Sequence, residues 1–179
     1  MSEIKDYFPN EIDGYFTWQY LYDDMVNRFP SGSTFVEVGA YKGRSLSHLI
    51  WRIIESKKDI LVFAVDWFDG ISSGLLDEFS RNMRLVQDKF TLIIGDSANS
   101  ADTFKDNSID FVFIDADHRY ESIKRDILAW KPKIKTGGVI AGHDYSLSYP
   151  GVVKAVDDIF GDKVNKKYTL YDSWLVEIV

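Results

Sequence analysis

No cysteine occurs in the 179 residues. That removes disulfides, thiolate metal sites and cysteine nucleophiles at once, and it fits a reducing compartment, so a cytoplasmic address is the expectation. Long apolar runs are missing too. Nothing approaches the ~20 residues needed to span a bilayer, and the opening MSEIKDYFPNEIDG lacks a basic stretch followed by an apolar one, so neither a membrane span nor an export signal is expected. Positive charge is scarce, with 21 Lys and Arg against 28 Asp and Glu and a formal net charge of -7. No basic cluster is long enough to follow a phosphate backbone, which argues against nucleic acid as a partner.

What is present supports a packed, solvated domain: 45% hydrophobic and 27% charged residues, and a length that suits one core. Apolar residues at Trp18, Leu21, Tyr22, Met25, Val26 and Phe29 share one helical face, and Pro30 to Gly32 end that helix. Seven strand-like runs then follow: STFVEVGA, ILVFAVD, TLIIGD, IDFVFID, GGVIAGHD, KYTLYD and WLVEIV. Helical stretches separate most of them, from Leu46 to Ile54, Leu75 to Phe90, Ala98 to Phe104, Ile123 to Ile134 and Val152 to Phe160. Strands that read as continuous apolar runs and alternate with helices imply an α/β fold, a mostly parallel sheet covered on both faces. A turn at Asp172-Ser173 would make the last pair a hairpin with one antiparallel strand.

Open sheets of this kind bind ligands beyond the carboxyl ends of their strands. Five segments occupy those positions: Glu37 to Ser45, Asp66 to Asp69, Gly95 to Ser97, Asp115 to Tyr120 and His143 to Tyr149. Four of them place an acid at the strand end. Gly39 and Gly43 allow close backbone approach at a helix N-terminus, but the G-x-G-x-x-G spacing of a dinucleotide loop is missing. A carboxylate at Asp66 can accept from both hydroxyls of a ribose, and Asp96 or Ser97 can meet an adenine ring. These loops together suit an adenosine-like ligand.

At this point the motifs become recognisable. FVEVGAYKGRS resembles motif I of class I S-adenosylmethionine-dependent methyltransferases, in the Glu-x-Gly-Ala-Tyr-x-Gly-x-Ser form of the catechol O-methyltransferases. FIDADHRY is similar to the fourth-strand motif of the catechol and caffeoyl-coenzyme A enzymes, and GGVIAGHDY to the fifth-strand motif of that group and of macrocin-type sugar O-methyltransferases. The resemblance covers roughly residues 33–160. It implies a Rossmann-like, seven-stranded sheet with helices on both faces and a final antiparallel hairpin strand, in one domain with a leading helical segment (residues 1–32) and a cofactor-binding fold (33–179).

It also implies roles. Glu37, Gly39, Tyr41 and Ser45 would surround the methionine part of S-adenosyl-L-methionine, Asp66 the ribose, and Asp96 with Ser97 the adenine, with Ala40, Gly43 and Trp67 also at the cofactor and Asp115 beside the reactive centre. Metal-dependent relatives bind a divalent ion through the residues matching Asp115, His143 and Asp144. The carboxylates suit Mg²⁺ or Ca²⁺, and the histidine, a departure from the family's usual Asp-Asn or Asp-Asp, shifts preference toward Mn²⁺, Fe²⁺ or Zn²⁺. The general base would be His118 or Asp117. The expected acceptor is a hydroxylated small molecule, under lid segments Tyr7 to Tyr22, Ser72 to Leu76 and Ser146 to Gly151, with Trp67, Tyr145 and Tyr149 placed to sandwich it. His48 reads as structural. A nicotinamide-dependent oxidoreductase and a cofactor-binding module without transfer activity stand as alternatives, and the oligomeric state is open, a homodimer being one option.

Overall fold

A computed structural model describes residues 12–68 and 73–179. Residues 7–11 and Ser72 of the expected lid segments, and Asp69 after the second strand, lie outside the described residues. The elements in chain order are α1 (Gln19–Arg28), β1 (Thr34–Val38), α2 (Arg44–Ser56), β2 (Leu61–Asp66), α3 (Leu75–Met83), β3 (Thr91–Ile94), the single turn α4 (Ser97–Ser100), β4 (Ile109–Ile114), α5 (Tyr120–Trp130), β5 (Ile134–Gly142), α6 (Pro150–Phe160), the single turn α7 (Lys166–Thr169) and β6 (Trp174–Glu177). No helix among the described residues is long and apolar enough to cross a membrane.

The sheet has six strands in the order β3-β2-β1-β4-β5-β6, parallel from β3 to β5, with β6 antiparallel to β5. Successive residues of the central strands enter opposite cores. Phe35, Phe111 and Phe113 pack with α1, α2 and α3 on one face, while Val36, Val112 and Ile114 pack with α5 and α6 on the other. The two-residue period of a strand buried on both faces leaves no polar side to write into the sequence, hence the unbroken apolar runs. Each fully buried side chain such as Phe111 contributes roughly 1.5–3 kcal/mol relative to exposure. α1 is anchored at its C-terminal end, where Lys58 Nζ donates to the carbonyls of Val26, Asn27 and Phe29 at 2.5, 3.0 and 2.8 Å and so satisfies acceptors a helix end leaves open.

The expected seventh strand is absent. KYTLYD forms α7 and a turn, because Asn165 caps the helix by accepting from Lys167 N at 3.0 Å. Tyr168 alone of that segment is buried, its hydroxyl donating to Asp24 at 2.9 Å, whereas Leu170, which an alternating strand would bury on the same face, is 82% exposed. The antiparallel last strand therefore pairs with β5 and not with a neighbour across a hairpin. α3 is also shorter than its apolar period implies, since the chain after Met83 closes on itself through Val86 N to Met83 O and Lys89 N to Val86 O. α5 stops at Trp130, two residues before Pro132, which cannot continue a helix.

Strand order reverses between β1 and β4: the chain runs outward through β2 and β3, then returns to the other side of β1. The carboxyl ends of β1 and β4 therefore open a crevice of the kind that takes ligands in open α/β sheets.

Candidate active site

A cavity of about 1200 Å³ occupies that crevice and reaches from the β3 end to the β5 end. Its floor begins with the loop after β1. Gly39 has φ +93°, and a Cβ there would stand 1.9 Å from the Asp115 carbonyl oxygen, so only glycine lets the loop rest on the end of β4. Gly39 N–H donates to Val65 O at 2.9 Å, tying the loop to β2 as well. Gly43 opens α2 at φ +89° under the Met83 thioether.

Glu37 lies beneath this loop, 1% exposed, and does not line the cavity. It accepts from Ser45 Oγ at 2.6 Å and from Tyr22 OH at 2.9 Å. Burial pushes its carboxyl from the ordinary 4.5 up to about 8, against the pull of those two hydroxyl donors. The folded protein thus holds a proton that the unfolded chain releases near 4.5. Glu37 contributes stability that is fully present below that value and lost as pH rises through about 8, on the order of a few kcal/mol. Glu37→Gln, neutral throughout, should flatten the profile of thermal midpoint against pH across this window; profiles that stay parallel for the two proteins would refute the assignment. Tyr22 was missed as a site residue because the helical period alone casts it as core, and a hydroxyl on an otherwise apolar face was the available signal.

Asp66 ends β2 and holds two loops. Its Oδ2 accepts from Tyr41 N at 2.8 Å and its Oδ1 from Phe68 N at 2.7 Å. Two carboxylate oxygens offer about four acceptor positions, so two remain for a diol. Trp67, 58% exposed, Ala40, Tyr41 and Ser45 line the cavity beside it. At the β3 end, Asp96 caps α4 by accepting from Asn99 N at 3.1 Å and pairs with Arg125, and Ser97 Oγ accepts from Trp130 Nε1 at 3.3 Å.

The β4 and β5 ends bring three charged groups together. His118 Nε2 lies 2.6 Å from Asp144 Oδ2 and 3.9 Å from Asp115 Oδ1. Those two carboxylates push the imidazole up to about 10, so His118 holds its proton at neutral pH until a cation displaces it. Burial raises the Asp144 carboxyl, but the hydrogen bonds of His118 and His143 outweigh it and hold it at about 2. Asp144 itself sits at φ 60°, a left-handed conformation that aspartate tolerates better than most residues and that recurs at functional sites. Donor atoms of Asp115, His118 and Asp144 all lie within 4.8 Å of one another, the one such group among the described residues that could hold a metal ion. His143, the imidazole expected in that role, also lines the cavity, its Nδ1 3.0 Å from Asp144 Oδ1 and 4.0 Å from Asp115 Oδ1, with its ring packed 4.4 Å from the Trp18 ring and Thr17 Oγ1 at 3.3 Å from Nε2. It buttresses Asp144 from behind. Asp117 also lines the cavity, but hydrogen bonds from Arg119, chiefly, and Ser122 hold its carboxyl far below the usual range, which makes it a poor proton acceptor.

The Tyr149 ring lies 4.8 Å from that of His118, tilted by 46°, and with Tyr15 and Trp67 lines the mouth of the cavity. Tyr145 turns away to donate to Asp157 at 2.6 Å and is not in the lining. His48 is structural, 3.0 Å from Asp23 across the α1–α2 contact. Asp126, also missed by the sequence reading, lines the cavity near Ser97.

Comparison with known proteins agrees with this geometry. A family described as a methyltransferase domain matches residues 36–145, a span that runs from β1 to just past Asp144. An uncharacterized protein, R132 of Acanthamoeba polyphaga mimivirus, is 26% identical over 168 residues, 85% of this chain and 71% of its own. Among solved structures, CalS11, a TDP-rhamnose 3'-O-methyltransferase of calicheamicin biosynthesis, superposes with a TM-score of 0.64 at 15% identity, covering 89% of this chain and 76% of its own. The O-methyltransferase NovP does so with a TM-score of 0.66 at 19% identity, covering 91% and 80%. At such identities the structural likeness speaks for the fold.

Proposed function

Because the chain belongs to the methyltransferase-domain family and is an S-adenosylmethionine-dependent methyltransferase of the class I fold, we propose that it methylates a hydroxyl oxygen of a small molecule with the help of a divalent cation held by Asp115, His118 and Asp144. The observation that carries this reading is the convergence of those three donors on the cavity floor next to the Gly39 loop. Two carboxylates and one imidazole fit Mn²⁺, Fe²⁺ or Zn²⁺ better than an all-oxygen set would. When bound, such a cation lowers the pKa of a hydroxyl that would otherwise stay protonated at neutral pH.

The chain's own residues supply the rest. Asp66 accepts from the ribose hydroxyls and sets the position of the cofactor along the strand ends, and the Gly39 loop lets its backbone come close to the methionine part. Trp67, Tyr15 and Tyr149 form an aromatic mouth that excludes water and aligns a flat or sugar-like acceptor with the methyl group for in-line displacement. His118, gripped by two carboxylates, orients the acceptor side of the site, and the buried pair of Trp18 and His143 holds Asp144 from below. CalS11 and NovP, both named as O-methyltransferases, favour oxygen as the acceptor atom. The nicotinamide-dependent alternative is set aside by the family match.

Asp66→Ala should weaken binding of S-adenosylhomocysteine by about 1.5–3 kcal/mol, the worth of a hydrogen bond to a charged group. Calorimetry that returns an unchanged dissociation constant would remove Asp66 from the site. Transfer of a labelled methyl group is then followed over a panel of phenols and sugars. Binding without transfer to any of them would favour the binding module, and transfer confined to amines would displace the hydroxyl reading.

A further inference from the structure

Asp126 has no place in the chemistry described so far, yet its surroundings are unusual. It stands on α5 among Ile123, Ile127 and Trp130, on the helix face that enters the core, and it is only 2% exposed. Its Oδ1 has no hydrogen-bond partner. The nearest cation, Arg125, is 3.8 Å away and spends its guanidinium on Asp96. Leaving a buried acceptor unpaired is costly, and an apolar side chain would serve a purely structural role better. Burial pushes the carboxyl up to about 6, against the pull of Ser97 and Arg125.

The unpaired group belongs to the cavity wall. The strand order β3-β2-β1 lays the loop ends out in a row: the Gly39 loop at β1, Asp66 at β2 and Gly95 to Ser97 at β3, with Gly95 N–H donating to Asp66 O at 3.0 Å. A ligand with its ribose on Asp66 and its amino-acid part at β1 must send its base toward Ser97 and α5. At that end the cavity offers a carboxylate, which accepts hydrogen bonds and cannot donate them. The outer part of an adenine is an exocyclic amine, a donor. The Asp carboxyl torsion is broad, so a small rotation about Cβ–Cγ, which moves both oxygens together, turns the carboxylate toward the cavity without backbone movement.

We propose that Asp126 recognises the base of the cofactor, its unpaired carboxylate oxygen accepting from the exocyclic amino group and so selecting a 6-amino purine over a 6-oxo purine. This rests on the reading of the cavity as the S-adenosylmethionine site. The deaminated base places an acceptor where Asp126 needs a donor, and two acceptors facing each other in a dry pocket repel.

The test compares binding of S-adenosylhomocysteine and S-inosylhomocysteine to the whole protein by calorimetry. The wild-type protein should prefer the adenosyl ligand by roughly 30-fold or more. Asp126→Asn keeps the shape of the side chain but can turn either an oxygen or an amide N–H to the base, so the preference should fall to about threefold or less, chiefly through tighter binding of the inosyl ligand. Asp126→Ala should weaken the adenosyl ligand and leave the inosyl ligand nearly unchanged, with far-UV circular dichroism confirming that both variants fold. A preference that persists in Asp126→Asn overturns the assignment while leaving the cofactor site intact. A wild-type protein that binds neither ligand overturns the cofactor reading and this inference together.

Discussion

Asp144→Ala should lower kcat for methyl transfer by about 10³-fold or more while leaving S-adenosylhomocysteine binding close to the wild-type value. The reasoning starts from geometry. Asp144 lies closer than Asp115 to both histidines of the site, with Oδ2 at 2.6 Å from His118 and Oδ1 at 3.0 Å from His143, and it supplies one of the two carboxylates of the proposed cation site. Lewis-acid assistance amounts to several kcal/mol of barrier, and ~4 kcal/mol corresponds to about 10³-fold in rate. Removing Asp144 also leaves His118 and Asp115 facing each other without the group that orients them. Thorough chelation of the wild-type protein should reproduce the loss, and Mn²⁺ or Zn²⁺ should restore it. His143→Ala is expected to act more mildly, about 10- to 100-fold, as groups that brace a ligand do. Transfer that survives chelation, together with an Asp144→Ala enzyme within tenfold of wild type, would sink the cation.

Gly39→Ala carries the largest expected effect on stability. The methyl group must find room where the Asp115 carbonyl oxygen already stands, 1.9 Å away, and the backbone must keep φ +93°. Strain of this conformation and overpacking each cost about 1–3 kcal/mol, so the sum is roughly 3 kcal/mol or more. For a chain of this size each kcal/mol shifts the thermal midpoint by roughly 2–4 °C, which predicts a drop of about 6–12 °C. Gly74→Ala is the matched control. It has the same φ of +93° with nothing within 4 Å of the added carbon, and it should cost only the conformational part, about 1–2 kcal/mol. Equal midpoints for the two variants would show that the loop does not press on β4 as described. Cofactor binding should fail in Gly39→Ala alone, since Gly74 is remote from the cavity lining.

The parallel sheet was legible because Phe35, Val36, Phe111 and Val112 are buried whichever face they point to, and that produces apolar runs no surface strand would carry. Strand-end carboxylates could be picked out for the same reason: an acid such as Asp66 closing a run of valines stands out. The seventh strand was not legible, since β-prone tyrosines at 168 and 171 outweigh one capping asparagine in any local count, and only the packing of Tyr168 on α1 settles the outcome. Nor could the chain order show that two imidazoles meet the carboxylates. His118 and His143 both follow a strand, and Trp18, from the far end of the chain, takes up the space beside one of them. Asp126 was readable in hindsight. An aspartate spaced three residues from Ile123 and four from Trp130 falls on the apolar stripe, where an acid needs a reason.

The sheet order has a consequence for how the molecule comes into being. β1 sits between β2 and β4, and β4 is made after β1, β2 and β3. During synthesis, β1, β2 and β3 can associate as soon as they emerge, but the other edge of β1 must wait for residues 109–114 to pair. At 5–20 residues per second, roughly 2–10 s separate the appearance of Asp66 from that of Ile114. For that interval the nascent chain presents an unpaired edge flanked by Phe35, Val36 and Val38, the type of surface that recruits other strands. The strand that holds the cofactor loop in the finished protein is therefore the one most in need of protection on the ribosome.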